Sequence, residues 1–169
     1  MEDDFDYSGL QKTKKRKNSR TKGNAFERKV CKILNEEFQT TDFNRSPGSG
    51  AFANTHKLPD YLKVYGDLIT PSNFKFIIEC KKGYNKESIG SLFNPRSDIN
   101  NFIHQAKRDA SKIQKNWMVL FQQDRERIIA ILEDDLSLPC ENVISYKNLM
   151  LIPFDVLVKI TNKDFWFNQ

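Results

Sequence analysis

The fold is decided by one stretch, Gly66-Asp-Leu-Ile-Thr-Pro-Ser-Asn-Phe-Lys-Phe-Ile-Ile-Glu-Cys-Lys-Lys82, which places charged side chains where a strand should be apolar. The two-residue period of a strand separates Phe74, Phe76, Ile78 and Cys80 from Lys75, Ile77, Glu79 and Lys81. Asp67–Thr70 predicts a second strand, and the turn residues Pro71-Ser-Asn73 favour an antiparallel hairpin. Glu79 and Lys81 are therefore expected side by side. Asp67 joins them if it lies opposite an odd-numbered residue.

Asp67, Glu79 and Lys81 are the residue types of a metal site that cleaves phosphodiesters. Two carboxylates suit a hard cation such as Mg²⁺, which keeps waters and substrate phosphate oxygens among its ligands. The cation would activate a water, while Lys81 would orient the nucleophile or stabilise developing negative charge. The alternative is a solvated ion pair on a strand face, worth about 0 to 1 kcal/mol. These three residues alone leave both interpretations open.

Length and composition predict a single domain with a tail. The chain has 169 residues, and we expect a disordered basic tail at 1–22 and one folded domain at 23–169. No apolar run is long enough for a membrane span and the N-terminus does not look like a signal peptide, so we expect a soluble, intracellular protein. The three cysteines are widely spaced and support neither disulfides nor a zinc site.

The net charge of +5 favours an anionic partner, and nucleic acid is the first candidate. The candidate DNA contacts are basic residues in the tail, beside a glycine-rich loop and after the hairpin: Lys14, Lys15, Arg16, Lys17, Arg20, Lys22, Arg45 and Lys82. Such a tail adds salt-dependent affinity that does not depend on sequence. A solubilising tail or a localisation signal is the alternative.

Two amphipathic helices are expected to flank the hairpin. One begins near Asn24, where Glu27 is either a capping-box residue or a further acid that leans toward Asp67 and Glu79. The other is capped by Ser97-Asp98, and its Gln105 either reaches the metal site or a phosphate, or lies on a solvated face.

The remaining segments predict further strands and loops. Gln39–Arg45 is interpreted as a strand, and Ser46-Pro-Gly-Ser-Gly50 as a loop able to turn N–H groups toward a phosphate or to serve as a plain connector. Asp60 is a rival acid in a polar loop, and we prefer Asp67. Trp117–Gln122 and Arg127–Leu132 predict a second hairpin, Met150–Pro153 a short strand and Asp155–Thr161 a closing helix with Val156, Leu157 and Ile160 inward. The aromatic end, Phe165–Phe167, is expected to pack on the core or on a partner subunit. This order fits an α/β domain with a central mixed sheet flanked by helices.

Four segments in this order resemble the PD-(D/E)xK nuclease superfamily, whose core is restriction-endonuclease-like. They are Lys22–Arg28 with Glu27, Arg45–Gly50, Gly66–Ile69 with Asp67, and Ile78–Lys81 with Glu79. Within that superfamily the chain is most similar to the archaeal-type Holliday junction resolvases, which also occur in viruses. It departs from them at Gly66, where a proline is usual.

The resemblance implies a set of roles. Glu27, Asp67, Glu79 and the backbone carbonyl of Cys80 would serve Mg²⁺, with Mn²⁺ expected to substitute. Lys81 would handle the nucleophile, and Ser49 would contact the scissile region. The resemblance further implies a homodimer that nicks four-way DNA junctions symmetrically, in a prokaryotic or virus-infected cytoplasm. The alternatives are a restriction-like or repair endonuclease on duplex DNA, and a DNA-binding protein of the same fold that does not cut.

Overall fold

The computed structural model describes residues 18–46, 65–134 and 143–168. The helices are α1 (Ser19–Phe38), α2 (Asp98–Lys112), α3 (Phe154–Ile160) and α4 (Lys163–Trp166), with a 3-10 helix at Ile89–Phe93. The strands are β1 (Asn44–Arg45), β2 (Leu68–Ile69), β3 (Phe76–Gly83), β4 (Asn116–Gln123), β5 (Ile129–Glu133), β6 (Ile144–Tyr146) and β7 (Leu149–Pro153). No helix in these ranges is long and apolar enough to cross a membrane.

The main sheet has five strands in the order β3-β4-β5-β7-β6. Strands β3 and β4 run parallel, because α2 makes the crossover between them, and the other pairs are antiparallel. Helix α1 packs on β3 and α2 packs on β3 and β4. The predicted mixed sheet flanked by helices is confirmed, as is the β4–β5 hairpin.

The predicted hairpin between Asp67–Thr70 and Phe74–Lys81 is wrong. Strand β2 pairs antiparallel with β1, where Arg45 lies opposite Leu68. Its link to the main sheet is a backbone hydrogen bond from Asp67 N to the Ile78 carbonyl oxygen, at 2.8 Å. The pairing with β1 joins residues more than twenty positions apart, which the turn chemistry of Pro71–Asn73 could not reveal. Strand β3 is thus an edge strand with Asp67 docked beside it.

The two faces of β3 enter different cores, as the alternation predicts. Phe76, Ile78 and Cys80 belong to a cluster with α1, α3 and the aromatic end, while Ile77 belongs to a second cluster beneath α2. Trp166 is fully buried and stacks on Phe74 with ring centroids 5.9 Å apart. The core alternative for the aromatic end is therefore correct.

Several element boundaries differ from the predictions. Helix α1 begins at Ser19 with Asn18 as its cap, so Arg20 and Lys22 of the predicted tail lie in its first turns. A strand was predicted at Gln39–Arg45, but the structure has a strand only at Asn44–Arg45, because Gln39 caps α1 in a left-handed conformation. Ile160 was expected to face inward but is 42% exposed, and Val158 is buried instead. Strand β6 was not predicted.

Candidate active site

Glu79 and Lys81 project from β3 toward α2. Lys81 Nζ lies 2.5 Å from Glu79 Oε1 and 5.0 Å above the ring of Phe102. Gln105 Nε2 donates a hydrogen bond to the same Glu79 oxygen at 2.9 Å. The second amphipathic helix therefore supplies a direct partner to Glu79. Gln105 therefore contacts the candidate metal site, which is one of the two positions that the sequence left open for it.

Asp67 reaches the open edge of the same strand through an unusual backbone. Its Oδ2 accepts a hydrogen bond from Cys80 N at 2.8 Å. Gly66 has φ +79°, and a Cβ there would lie 2.8 Å from the Ile78 carbonyl oxygen. Proline fixes φ near about −65° and also carries a Cβ, so the residue usual in the resolvases cannot adopt this conformation. Glycine is what lets Asp67 dock against β3.

The Cys80 carbonyl also faces this edge. In a strand, the N–H and C=O of one residue point to the same side. Because Cys80 N donates to Asp67, the Cys80 carbonyl oxygen points toward the same space beside Asp67. Asp67 and a backbone oxygen are thus presented together.

Glu27 does not serve as a helix cap. Helix α1 starts eight residues earlier, so Glu27 lies in its third turn and the capping-box interpretation is wrong. Its Oε2 is 2.5 Å from Arg45 Nε, in a pair whose carboxylate is largely shielded from solvent. Arg45 is held in turn by the pairing of β1 with β2. Glu27 therefore leans over the sheet toward the side where Asp67 lies.

The carboxylates at this site are held at a cost in electrostatic energy. Burial, and then the charge of Asp67, raise the pKa of Glu79 to about 7 even though Lys81 opposes the shift. Burial also raises the pKa of Glu27, against the hydrogen bond from Arg45, and Asp67 raises it further. Desolvation and like charge are the causes that active sites exploit to perturb carboxyl groups.

Lys81 remains a cation. Burial alone would lower its pKa, but the charge and hydrogen bond of Glu79, together with Asp67, outweigh burial and raise the pKa above its ordinary value. An ammonium that keeps its proton donates hydrogen bonds and stabilises negative charge. It is poorly suited to act as a general base.

The donors present fit a hydrated divalent cation better than a closed metal cage. In the described ranges, no three His, Cys, Asp or Glu side chains come close enough together to hold an ion by themselves. Two carboxylates and a backbone carbonyl are nevertheless oxygen donors, and Mg²⁺ typically takes one or two carboxylates and completes its shell with water and phosphate. Burial, and after it the charge of Asp67, raise the pKa of Glu79, so a cation bound there would favour the ionised form of this acid.

A cleft of about 700 Å³ opens in front of these residues. Its walls include Glu27, Asp67 and Lys81, and beyond them the side chains Lys22, Lys82, Tyr84, Asn85 and Asp124. Lys82 makes a hydrogen bond to the Gln123 carbonyl oxygen at 2.9 Å. The cleft is thus lined by three acids, Glu27, Asp67 and Asp124, and by three lysines, Lys22, Lys81 and Lys82, so it offers groups for a cation and for phosphates.

The structure therefore brings Glu27, Asp67, Glu79, Lys81, Gln105 and Arg45 to one end of β3, with Lys22 and Lys82 in the cleft wall. Arg20 is exposed near the start of α1. Ser49, Asp60 and Lys14–Lys17 lie outside the described residues, so their predicted roles stay predictions. Tyr84, Asn85 and Asp124 were missed, and no local pattern marks them.

The chain matches known proteins over nearly its whole length. A family model described as "Phage putative PDDEXK endonuclease" matches residues 18–164. The chain is also similar to Protein D14 of Escherichia phage T5, with 27% identity over 157 residues that cover 89% of this chain and 92% of that protein. No solved structure matches the chain significantly. The matched range contains all of Glu27, Asp67, Glu79 and Lys81.

Proposed function

This chain belongs to the phage PDDEXK endonuclease family, and from that premise we propose that it is a divalent-metal-dependent endonuclease that cuts branched DNA. The family match confirms the predicted PD-(D/E)xK superfamily and its restriction-endonuclease-like fold, and it supports nuclease activity. One observation carries the proposal to this chain's own residues. Asp67, Glu79 and Lys81 are buried or half-buried together at the end of an edge strand, and a cleft lined by both acids and lysines opens beside them.

The metal would be held by Asp67, Glu79 and the Cys80 carbonyl. Bound there, Mg²⁺ supplies a nucleophilic water and neutralises charge on the attacked phosphate. Gln105 and Lys81 both donate to Oε1 of Glu79 and so fix the position of this carboxylate. Glu27, held by Arg45, adds a third acid to the wall of the same cleft.

Lys81 acts on the reacting phosphate. Because it keeps its proton, its ammonium can orient the attacking water and donate to the oxygens on which negative charge develops. Phe102 lies beneath it and limits its movement. Release of the 3′ oxygen would leave 3′-hydroxyl and 5′-phosphate ends.

We propose the four-way junction as the preferred substrate and a homodimer as the active form. Paired symmetric nicks need two sites, and the described part of one chain contains one candidate site. Lys22 and Lys82 in the cleft wall suit phosphate contacts, which position DNA by its shape and charge without reading bases. Such a protein would act in the cytoplasm of an infected cell.

A cleavage panel tests the proposal. Synthetic four-way junctions, linear duplex and single strands of the same sequence are incubated with the protein in Mg²⁺, in Mn²⁺ and in EDTA. We expect symmetric nicks in the junction with either metal and none in EDTA. Equal cutting of linear duplex would overturn the junction preference and keep the nuclease. DNA binding without cutting under any divalent ion would overturn the nuclease proposal for this chain.

A further inference from the structure

The turn between β4 and β5 carries an aspartate on which three side-chain donors converge. Lys22 Nζ lies 3.2 Å from Asp124 Oδ2, and Asn85 Nδ2 lies 3.1 Å from the same oxygen. Lys82 Nζ is 3.8 Å from the other oxygen, Oδ1. Two ammonium groups and one amide therefore surround a single carboxylate.

The three donors come from two parts of the chain, and the carboxylate that accepts from them comes from a third. Lys22 comes from α1, Lys82 and Asn85 from β3 and the segment after it, and Asp124 from the β4–β5 turn. Two further hydrogen bonds join the turn to Lys82 and Asn85. Asp124 N donates to Asn85 Oδ1 at 3.0 Å, and Lys82 Nζ donates to the Gln123 carbonyl oxygen at 2.9 Å. Lys82 and Asn85 are thus held by the backbone of the turn as well as by the carboxylate, and Lys22 meets the same carboxylate from α1.

The set lies in the same cleft as Glu27, Asp67 and Lys81. A DNA strand with one phosphate at the candidate metal site must lay its neighbouring phosphates along this cleft. Asp124 is itself partly exposed there, with 39% of its side chain accessible. A ligand can reach it without unfolding any element.

The charge on the donors exceeds the charge that Asp124 supplies. Two lysines face one carboxylate, whose pKa is lowered by hydrogen bonds from Asn85 and Lys22, so it stays ionised at neutral pH. A phosphodiester offers the same pattern of acceptors, two oxygens that share one negative charge. Lysine is a common phosphate ligand.

We infer that Lys22, Lys82 and Asn85 form a phosphate subsite for a nucleotide next to the cut, and that Asp124 occupies this subsite as an internal anion in the free protein. The inference deepens the proposed function and rests on it. DNA binding replaces the Asp124 carboxylate with a phosphate at the two lysines. Asp124 therefore weakens DNA affinity and reduces the number of ions released on binding.

The test is the substitution Asp124→Asn, with DNA affinity measured by fluorescence anisotropy in EDTA on a four-way junction. We expect Kd to fall about fivefold at low salt, since the lysines no longer need to leave an ion pair. The slope of log K against log salt concentration should become steeper by about 0.9, the value for one more neutralised phosphate.

Asp155→Asn is the matched control. Asp155 is also an exposed aspartate in an ion pair, with Arg127 Nη2 at 2.7 Å from its Oδ2, but it is not part of the cleft wall. The two substitutions change the net charge equally. If Asp124→Asn binds no more tightly than Asp155→Asn, or binds more weakly than the wild type, the inference is wrong. It is also wrong if the gain persists when Lys22 and Lys82 are both replaced by glutamine.

A second measurement needs neither DNA nor cleavage. Orthophosphate is titrated into the ¹⁵N-labelled protein while the Asn85 side-chain amide is followed by NMR. We expect this signal to move in the wild type, and to move at lower phosphate concentration in Asp124→Asn. If it moves in neither protein, the subsite is absent, whatever the nuclease assay shows. If it moves as expected and no DNA is cut, the subsite stands and the nuclease proposal fails.

Discussion

Two Lys–Glu pairs on the α2 side of the sheet each contain a lysine above an aromatic ring, but the pKa values of their two acids are shifted in opposite directions. Lys81 pairs with Glu79 and lies 5.0 Å above the ring of Phe102. Lys107 pairs with Glu133 at 3.1 Å and lies 5.0 Å above the ring of Trp117. The side chain of Glu79 is 4% exposed, whereas that of Glu133 is 49% exposed.

The difference in burial reverses the effect on each acid. Burial and the charge of Asp67 raise the pKa of Glu79 to about 7. The pKa of Glu133 is lowered, because favourable contacts that include the ion pair with Lys107 outweigh its slight burial. The Lys107–Glu133 pair makes ionisation of its acid easier, as an ordinary solvated ion pair does. In the Lys81–Glu79 pair the lysine does not offset the cost of burying the acid, and this indicates a site that binds another ligand. An acid-x-lysine pattern alone does not separate these cases.

The two pairs should differ most in how the loss of their lysine affects DNA cleavage. Lys81→Gln keeps a hydrogen-bond donor near Glu79 but loses the charge, and we expect the cleavage rate to fall by about a thousandfold with DNA binding retained. Lys107→Gln removes the corresponding charge from the surface pair and should leave cleavage unchanged. Single-turnover rates on the same DNA decide the matter, and equal effects of the two variants would remove the distinction.

The next contrast is in how stability depends on pH without metal. For Glu79, the folded pKa of about 7 exceeds the ordinary value of 4.5, so the folded protein binds more protons between these values. Its contribution to the free energy of unfolding therefore falls as pH rises from 5 to 8, on the order of 3 kcal/mol. Glu133 has the opposite sign, since its lowered pKa gives stability that is present above 4.5 and lost as pH falls below it.

Urea unfolding in EDTA measures the contributions of both Glu79 and Glu133 to the free energy of unfolding. At each pH the wild type is compared with Glu79→Gln and with Glu133→Gln, and the difference isolates one carboxyl group. If the free energies of unfolding of the wild type and Glu79→Gln differ by the same amount at every pH from 5 to 8, the pKa of Glu79 is not raised in the folded protein.

A third pair, Glu27 with Arg45, lies between the two in exposure. Glu27→Gln should lower cleavage by about thirtyfold through loss of a charge near Asp67, with little change in the free energy of unfolding. Wild-type activity in this variant would mean that Glu27 only anchors Arg45. A matched loss of stability and activity would point to the same conclusion, and thermal unfolding beside the rate assay detects it.

The smallest effect belongs to the surface pair. A double-mutant cycle on Lys107 and Glu133 should give a coupling free energy of about 0.5 kcal/mol at neutral pH, reduced further by salt. Urea unfolding of the four proteins measures it. A coupling several times larger would show that exposure does not separate the two pairs.

Features set by neighbouring residues were predictable from the sequence. Helix α2, its Ser97 cap and the two faces of β3 follow from local periodicity, and the structure confirms them. The start of α1 was missed because its first turns carry exposed and basic residues with no apolar stripe. Its cap, Asn18, gives a weak signal inside a run of charge.

Features that join distant segments were not predictable. Strand β2 pairs with β1 from more than twenty positions away in the sequence, and Gln105 meets Glu79 from 26 residues away. Lys22 meets Asp124 from 102 residues away. The resemblance carries Glu27, Asp67, Glu79 and Lys81, and the structure brings them to one end of β3, while their roles stay predictions. The docking of Asp67 through Gly66 needed the folded backbone.

One measurement tests the central claim most directly, that the buried pair marks the catalytic site and the exposed pair does not. Cleavage of a four-way junction in Mg²⁺ is compared for the wild type, Glu79→Gln and Glu133→Gln, with DNA binding of each measured in parallel. The account predicts that the wild type and Glu133→Gln cut the junction, whereas Glu79→Gln binds it and does not cut. Cleavage by Glu79→Gln at the wild-type rate would contradict the account.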